Sequence, residues 1–104
     1  MDKKIISTEK APQAIGPYSQ AIVANGFLFT SGMVPIDPAT NQLVEGDITV
    51  QAEQAISNLK NLIEASGSSC DKVVKTTVFI KDMNDFAKIN EVYAKYFTEP
   101  YPAR

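Results

Sequence analysis

Histidine is absent from this chain of 104 residues, and cysteine occurs once, at Cys70. These two residue types supply most zinc and iron ligands in proteins, and an intrachain disulfide needs two cysteines. We therefore expect no metal site, no cofactor and no intrachain disulfide. The same absence excludes a histidine-based catalytic triad, so any acid–base chemistry must use carboxylates, Tyr, Lys, Cys or a bound water.

An excess of basic residues and long apolar runs are also missing. Lys and Arg total 10 against 12 Asp and Glu, which gives a net charge of -2 without a basic block. This pattern predicts no nucleic-acid partner. No apolar run approaches membrane-spanning length, and residues 1–8 lack the apolar core of a secretory signal. We expect a cytoplasmic protein that does not bind membranes, and a mitochondrial location stays open.

The single thiol, Cys70, lies in the polar stretch 66–71. Its only basic neighbour in the sequence is Lys72, and a reactive cysteine needs a more electropositive setting. We interpret Cys70 as structural or incidental rather than as a nucleophile.

The first third of the chain carries β-strand patterns. Apolar and alternating segments predict three short strands, at residues 4–7, 21–24 and 27–31. Asn25-Gly26 joins the last two and predicts a type I′ hairpin, because both central positions of that turn need a positive φ. Residues 11–17, with two prolines and a glycine, predict an irregular arm, and residues 35–46 predict a long polar loop.

The remaining sequence predicts two helices separated by a strand. Apolar residues spaced by three and four predict a helix between the cap Asp47 and the stop Gly67. Residues 73–80 are β-branched and aromatic with apolar side chains on both faces, which predicts a central strand. A second helix is predicted over residues 84–97, with an apolar stripe formed by Phe86, Ile89, Tyr93 and Phe97.

This element order predicts an α/β (α+β) fold in a single domain over residues 1–104, with a mixed β-sheet and two helices packed on one face. A strand that crosses over through a helix needs a parallel neighbour, and no strand follows the second helix. We therefore expect the C-terminal strands of the intact protein to lie beyond Arg104.

The segment Pro100-Tyr101-Pro102-Ala103-Arg104 offers a candidate anion site. A guanidinium matches a carboxylate or a phosphate in a bidentate way, and a stiff Pro-x-Pro arm would hold it in one direction. The alternative is a frayed, solvated chain end.

Four other residues are candidates for ligand contact. Ser31 and Gly32 close the predicted strand 27–31, where a hydroxyl and a glycine amide can hold an oxygen of an anion; alternatively Gly32 only allows a turn and Ser31 hydrogen-bonds locally. Tyr18 either contacts a ligand or covers an apolar edge. Asn90 lies within the apolar stripe of the second helix, so its amide either bonds the backbone in the core or faces a cavity with a ligand or water.

Five separated segments closely resemble the RidA-like (YjgF-type) reactive intermediate deaminase family and cover essentially the whole chain. In order they are Ala14-Ile15-Gly16-Pro17-Tyr18-Ser19-Gln20, Thr30-Ser31-Gly32-Met33-Val34-Pro35, Val74-Lys75-Thr76-Thr77-Val78-Phe79-Ile80-Lys81-Asp82-Met83, Asn90-Glu91-Val92-Tyr93 and Tyr101-Pro102-Ala103-Arg104. The resemblance implies a chorismate-mutase-like fold and a homotrimer with sites in the clefts between subunits. It also implies hydrolysis of enamine and imine products of pyridoxal-phosphate dehydratases, such as 2-aminoacrylate and 2-iminobutanoate, to 2-keto acids and ammonia.

By the same resemblance, Arg104 binds the substrate carboxylate, and Tyr18, Ser31, Gly32 and Asn90 line the pocket. In relatives a cysteine shortly after the arginine and a later water-positioning glutamate follow, so no catalytic residue is assigned in this chain. Two other functions stay open: a non-catalytic, small-acid-binding or regulatory trimer, and an endoribonuclease L-PSP-type translation inhibitor.

Overall fold

The hairpin predicted from Asn25-Gly26 organises the first sheet. In the computed structural model, which describes residues 2–104, Asn25 and Gly26 have φ angles of 52° and 78°, as a type I′ turn requires. The turn joins β2 (Ala21–Ala24) to β3 (Phe27–Thr30), and β1 (Lys4–Ile6) pairs antiparallel with the other edge of β2. The strand order is β1-β2-β3.

The two faces of this sheet differ in what covers them. Ile6 and Ala21 point into a buried cluster that also contains Ala11 and Leu62. On the other face, the register aligns Ile5 with Ile22 and Ile22 with Phe29. Ile5 and Phe29 are 66% and 61% exposed. The sheet therefore has one buried apolar face and one solvent-exposed apolar face.

The first helix, α1 (Ile48–Ala65), begins and ends at the predicted residues. The Asp47 side chain accepts a hydrogen bond from the Val50 backbone N–H, and Gly67 has a φ of 90°. The Gly67 N–H donates to Glu64 and the Ser68 N–H donates to Ile63, which is the Schellman pattern that ends a helix. The sequence prediction of this helix is confirmed.

A short hairpin occupies the stretch that was predicted to be a long polar loop. Strands β4 (Ile36–Asp37) and β5 (Gln42–Leu43) pair antiparallel. Asn41, in the turn between them, has a φ of 59°. The prediction of a loop was wrong here. Strands of two residues are too short to show an alternation of apolar and polar side chains in the sequence.

The predicted central strand over residues 73–80 is also absent from the described structure. Among residues 2–104, the segment has one parallel bridge, from Lys75 to Ala103, made by Thr76 N–H donating to Ala103 and Ala103 N–H donating to Val74. Val74 and Phe79 are 70% and 94% exposed. The segment has the β-branched composition of a strand, but a strand needs a ladder of hydrogen-bonded partners, and within residues 2–104 only Ala103 pairs with it.

The second helix, α2 (Phe86–Tyr96), follows a single 3₁₀ turn at Met83–Asp85, so it begins two residues after the predicted start. Its buried residues are Ile89, Val92 and Tyr93, and it packs against α1. None of the helices among residues 2–104 has both the length and the apolar character needed to cross a membrane. The architecture is the predicted α+β fold.

Candidate functional site

Arg104 is tied to one face of α2. Its Nη1 donates to Asn90 Oδ1 at 2.9 Å. Its guanidinium carbon lies 4.7 Å from the centroid of the Tyr93 ring and 5.4 Å from that of Phe86, within cation–π range. Phe86, Asn90 and Tyr93 are spaced by four and three residues, which places them on one face of the helix. We call these four residues the Arg104 cluster.

The backbone before Arg104 is fixed as well. Ala103 forms the bridge to Lys75, with hydrogen bonds of 2.8 Å to the Thr76 N–H and 3.0 Å to the Val74 carbonyl. Of the two alternatives for this segment, the structure supports the directed arm over the frayed end. Arg104 itself remains solvent-exposed, so part of its guanidinium is accessible to an anion.

A groove of about 450 Å³ opens beside Arg104. Its charged lining residues are the two cations Lys75 and Arg104, and the rest of the wall is largely apolar, including Phe79, Met83 and Phe86. Such a groove suits a small ligand with an anionic group at one end and an apolar group at the other. Among residues 2–104, no Asp or Glu side chain lines it.

Asn90 has a different partner from the two that the sequence suggested. It is half-buried and accepts the hydrogen bond from Arg104 instead of bonding core backbone. A neutral amide oxygen can satisfy one guanidinium N–H without neutralising its charge. Asn90 therefore orients Arg104 and leaves it available for an anion.

Tyr18, Ser31 and Gly32 form a second group, which we call the Ser31 group. Ser31 Oγ donates to the Ser19 carbonyl at 2.6 Å, and the Ser31 N–H donates to the Gln20 carbonyl at 2.9 Å. Gly32 faces open space. Tyr18 is about half exposed, and its hydroxyl accepts a long hydrogen bond from the Ile15 N–H. The Ser31 hydroxyl thus makes the local bond that the alternative interpretation predicted.

The structure brings the predicted residues together in two sets and not in one. Arg104 and Asn90 are in direct contact, whereas within residues 2–104 no hydrogen bond joins the Ser31 group to the Arg104 cluster. Ligand contact by any of the five residues stays a prediction.

A family model described as "Endoribonuclease L-PSP" matches residues 8–104. The chain belongs to this family. The match spans both the Ser31 group and the Arg104 cluster, and it is the RidA-like family that the sequence motifs predicted.

Members of the L-PSP family similar to this chain carry several descriptions. A RutC family protein of Pyrococcus horikoshii is 58% identical over 102 residues, covering 98% of this chain and 81% of the relative. A mouse 2-iminobutanoate/2-iminopropanoate deaminase is 49% identical over 102 residues, covering 98% and 76%. The crystal structure of E. coli TdcF with bound serine superposes with a TM-score of 0.90 at 45% identity, covering 97% and 81%. The fold prediction is therefore confirmed.

The L-PSP sequence motif around Tyr18 contains a residue whose role the sequence did not reveal. Gln20 is buried, and its Nε2 donates to the carbonyls of Pro12, Thr8 and Ala11 at 2.7, 3.1 and 3.3 Å, while its Oε1 accepts from the Thr8 N–H at 2.7 Å. This one amide ties down the proline-containing arm that leads to Tyr18. A buried Gln next to a strand gives no periodic signal, so only the structure exposes it.

A second buried amide was missed on α1. Asn58 is fully buried, donates to the Val34 and Ile36 carbonyls at 3.1 and 2.7 Å, and accepts from Gln54. Its position in the sequence offered a signal, because it lies three residues after Ala55 and four before Leu62, within the apolar face of the helix. Asn58 holds β4 on α1.

Two titratable groups outside the Arg104 cluster, Cys70 and Tyr96, have raised pKa values. Burial raises the pKa of the Cys70 thiol, with the Glu64 charge adding to the effect, and this works against thiolate formation. Burial, followed by a hydrogen bond of 2.6 Å to Glu53, raises the pKa of Tyr96 to about 12. Among residues 2–104, no group of three or more acidic or cysteine side chains is arranged to hold a metal ion.

Proposed function

We propose that this protein is an enamine/imine deaminase, which hydrolyses 2-aminoacrylate or its imine tautomer 2-iminopropanoate, and 2-iminobutanoate, to 2-keto acids and ammonia. The single observation that carries the proposal is the Arg104 cluster. A guanidinium oriented by Asn90, Tyr93 and Phe86 beside a largely apolar groove offers the two complementary ends that a small 2-imino acid requires. The name of the mouse relative supports the reaction.

In the proposed reaction, Arg104 binds the substrate carboxylate. A charge-assisted hydrogen bond of this kind contributes about 1.5–3 kcal/mol. Water adds to the carbon of the protonated C=N group and forms a tetrahedral adduct with one C–O and one C–N bond. A proton passes from the added oxygen to the nitrogen, the C–N bond breaks to release ammonia, and loss of the remaining hydroxyl proton leaves the 2-keto acid. Holding the carboxylate fixes the C=N carbon relative to the attacking water, which is the contribution we assign to this chain. Among residues 2–104, we assign no residue that orients the attacking water.

We further propose a homotrimer with its sites between subunits. Two observations support an assembly. Ile5, Phe27 and Phe29 leave an apolar sheet face exposed, and within residues 2–104 no hydrogen bond joins the Ser31 group to the Arg104 cluster. Exposed apolar patches of this kind often mark interfaces. In a trimer, the Ser31 group of one subunit would complete the pocket around the Arg104 cluster of another.

The substrates imply a functional link to pyridoxal-phosphate dehydratases, because these enzymes release unstable enamines from serine and threonine. The test couples the protein to such a dehydratase and follows ammonia and 2-keto acid. We expect faster product release with the wild-type protein. Arg104→Ala should lower the apparent kcat/KM about 10- to 150-fold, as the loss of one charge-assisted contact predicts.

Lys88→Ala is the matched control, because it removes one exposed cation from α2 that forms no ion pair in the structure. Equal activity of wild type and Arg104→Ala would remove Arg104 from the mechanism. If the wild-type protein gives no acceleration at all, the deaminase proposal fails.

The same samples separate the two remaining functions. Binding of a 2-keto acid or serine that depends on Arg104, without acceleration, would favour a small-acid-binding or regulatory protein; the serine bound to E. coli TdcF is the observation behind this alternative. Cleavage of RNA that survives Arg104→Ala would favour the endoribonuclease activity in the family description. The net charge of -2 argues against RNA as the main ligand.

A further inference from the structure

Thr76 is linked to Arg104 by two indirect routes, one through Tyr93 and one through Ala103. Its Oγ1 shares a hydrogen bond of 2.7 Å with the Tyr93 hydroxyl, and the Tyr93 ring lies against the guanidinium. Its backbone N–H donates to the carbonyl of Ala103 at 2.8 Å, and Ala103 directly precedes Arg104. One residue therefore fixes both the platform under the guanidinium and the backbone from which the side chain extends.

Tyr93 is well suited to act as a rigid platform. Only 7% of it is exposed, and its ring packs on Phe97 with a centroid separation of 4.6 Å and an interplanar angle of 40°. Phe97 is itself buried. Its ring packs on Phe97 and its hydroxyl bonds Thr76, so both ends of the Tyr93 side chain have a fixed partner.

We propose that Thr76 and Tyr93 are positioning residues that hold the Arg104 guanidinium in its carboxylate-binding orientation. This inference rests on the proposed function of Arg104. It adds that the strength of carboxylate binding depends on a hydroxyl-to-hydroxyl contact that does not touch the ligand.

The physical reason is conformational entropy. An arginine side chain has several rotatable bonds, and ordering a rotamer-rich side chain on binding costs conformational entropy. A guanidinium is weakly hydrated and stacks well on an aromatic face, so the Tyr93 ring can order it before the ligand arrives. Asn90 then occupies one N–H group of Arg104, and the remaining donors stay available for a carboxylate.

The test measures how strongly each variant prefers 2-oxobutanoate over its uncharged amide, by calorimetric titration of the full chain. Arg104→Ala sets the reference for complete loss of the preference. Tyr93→Leu removes the ring and should reduce the preference about 5- to 30-fold, the range expected for a cation–π contact. Tyr93→Phe and Thr76→Val each break the hydroxyl contact but keep the ring or the side-chain volume, and should reduce it about 2- to 5-fold.

Two variants serve as matched controls. Tyr96→Phe removes a hydrogen-bonded hydroxyl from the same helix, but that hydroxyl bonds Glu53 and not Thr76; it should leave the preference unchanged. Thr76→Ser keeps the hydroxyl and should retain most of the preference for 2-oxobutanoate. The ratio of two ligands cancels general losses of folded protein, and Tyr93→Phe with Thr76→Val keeps the test valid if Tyr93→Leu does not fold.

The possible failures are distinguishable. If Arg104→Ala keeps the preference for the carboxylate, the proposed role of Arg104 is wrong. If Arg104→Ala loses it but Tyr93→Leu, Tyr93→Phe and Thr76→Val all keep it, Arg104 binds the carboxylate without help and the positioning inference alone is overturned.

Discussion

The Arg104 cluster and the Ser31 group are built from different kinds of contact. Arg104 is held by side chains that project from one face of a helix: an amide oxygen and two aromatic rings. Ser31 is held by the backbone carbonyls of Ser19 and Gln20. The first group presents a charge in a chosen direction, and the second shapes a stretch of main chain.

This difference predicts how each group responds to mutation. Phe86, Asn90 and Arg104 are exposed or half-buried, so substitutions of these three residues should alter binding more than stability. Tyr93 is buried, so its substitutions should affect both. A main-chain arm without regular ladder hydrogen bonds depends on the few side chains that satisfy it. Substitutions that affect the Ser31 group should therefore alter stability first.

The largest expected effect is that of Gln20→Ala. The substitution removes the four side-chain hydrogen bonds of Gln20 and takes away this partner from the Thr8 N–H and from the Ala11 and Pro12 carbonyls. The Thr8 carbonyl keeps its bond from Gln13. At roughly 1–3 kcal/mol for each unsatisfied buried group, partly relieved by water, we expect a loss of about 2–4 kcal/mol in the free energy of unfolding. Urea denaturation measures it.

Gln13→Ala is the control for that measurement, because Gln13 is exposed and donates a single bond to the same Thr8 carbonyl. We expect it to change the free energy of unfolding by less than about 1 kcal/mol. Similar losses for the two variants would mean that the arm is not fixed by Gln20.

Asn90→Ala should show the opposite behaviour. Without the Asn90 oxygen, the guanidinium of Arg104 loses its only side-chain hydrogen bond within residues 2–104. We expect the affinity for a 2-keto acid to fall about 3- to 10-fold, with a change in the free energy of unfolding below about 1 kcal/mol. Asn84→Ala, at an exposed position before the helix, is the control. A stability loss without a change in affinity would contradict the assignment.

Ser31→Ala distinguishes a structural hydroxyl from a ligand-binding one. The bond from Ser31 Oγ to the Ser19 carbonyl predicts a stability loss of about 0.5–1.5 kcal/mol. The backbone bond from Ser31 to Gln20 is retained. If Ser31→Ala lowers the free energy of 2-keto acid binding by more than it lowers the free energy of unfolding, the Ser31 hydroxyl contacts the ligand, as the family resemblance implies. Ser7→Ala, at an exposed residue, reports the background.

The substitution with the smallest expected effect at neutral pH is Tyr96→Phe. Tyr96 lies on α2 but outside the Arg104 cluster. Burial and the Glu53 hydrogen bond raise its pKa from 10.0 to about 12, so the folded state favours the protonated phenol. This contribution to stability is complete below the unfolded pKa and is lost as the pH rises through about 12. An ultraviolet titration of wild type minus Tyr96→Phe should show one phenol ionising near 12. Ionisation near 10.0 would mean that neither the burial of Tyr96 nor its Glu53 contact persists in solution.

The elements with local signals were predictable from the sequence. Asn25-Gly26 fixes the hairpin because the required φ angles belong to those two residues, and Asp47 and Gly67 bound α1 for the same kind of reason. The prediction of a strand at residues 73–80 was wrong, because strand formation depends on hydrogen-bonding partners elsewhere in the chain or the assembly. Its composition favours a strand, but composition supplies no ladder.

The candidate site was predictable only in part. Phe86 and Tyr93, which contact Arg104, belong to the predicted apolar stripe of α2, and Asn90 lies within that stripe. Their common helix face could therefore be predicted from the sequence. The bond between Thr76 and Tyr93 was not, because it joins a helix to an irregular segment. The partners of Gln20 lie up to 12 positions away in the sequence, where no periodic pattern reports them.

The position of Gln20 also has a consequence for how the sheet assembles. Its side chain binds the segment just after β1, and its own residue comes directly before β2, so it fixes how far the two strands slide past each other. A slip of one residue would turn the exposed Ile5 inward and the buried Ile6 outward. Both residues are isoleucine, so hydrophobicity alone does not distinguish the two alignments. The hydrogen bonds of the Gln20 amide do distinguish them, because they are compatible with the observed register of β1 on β2.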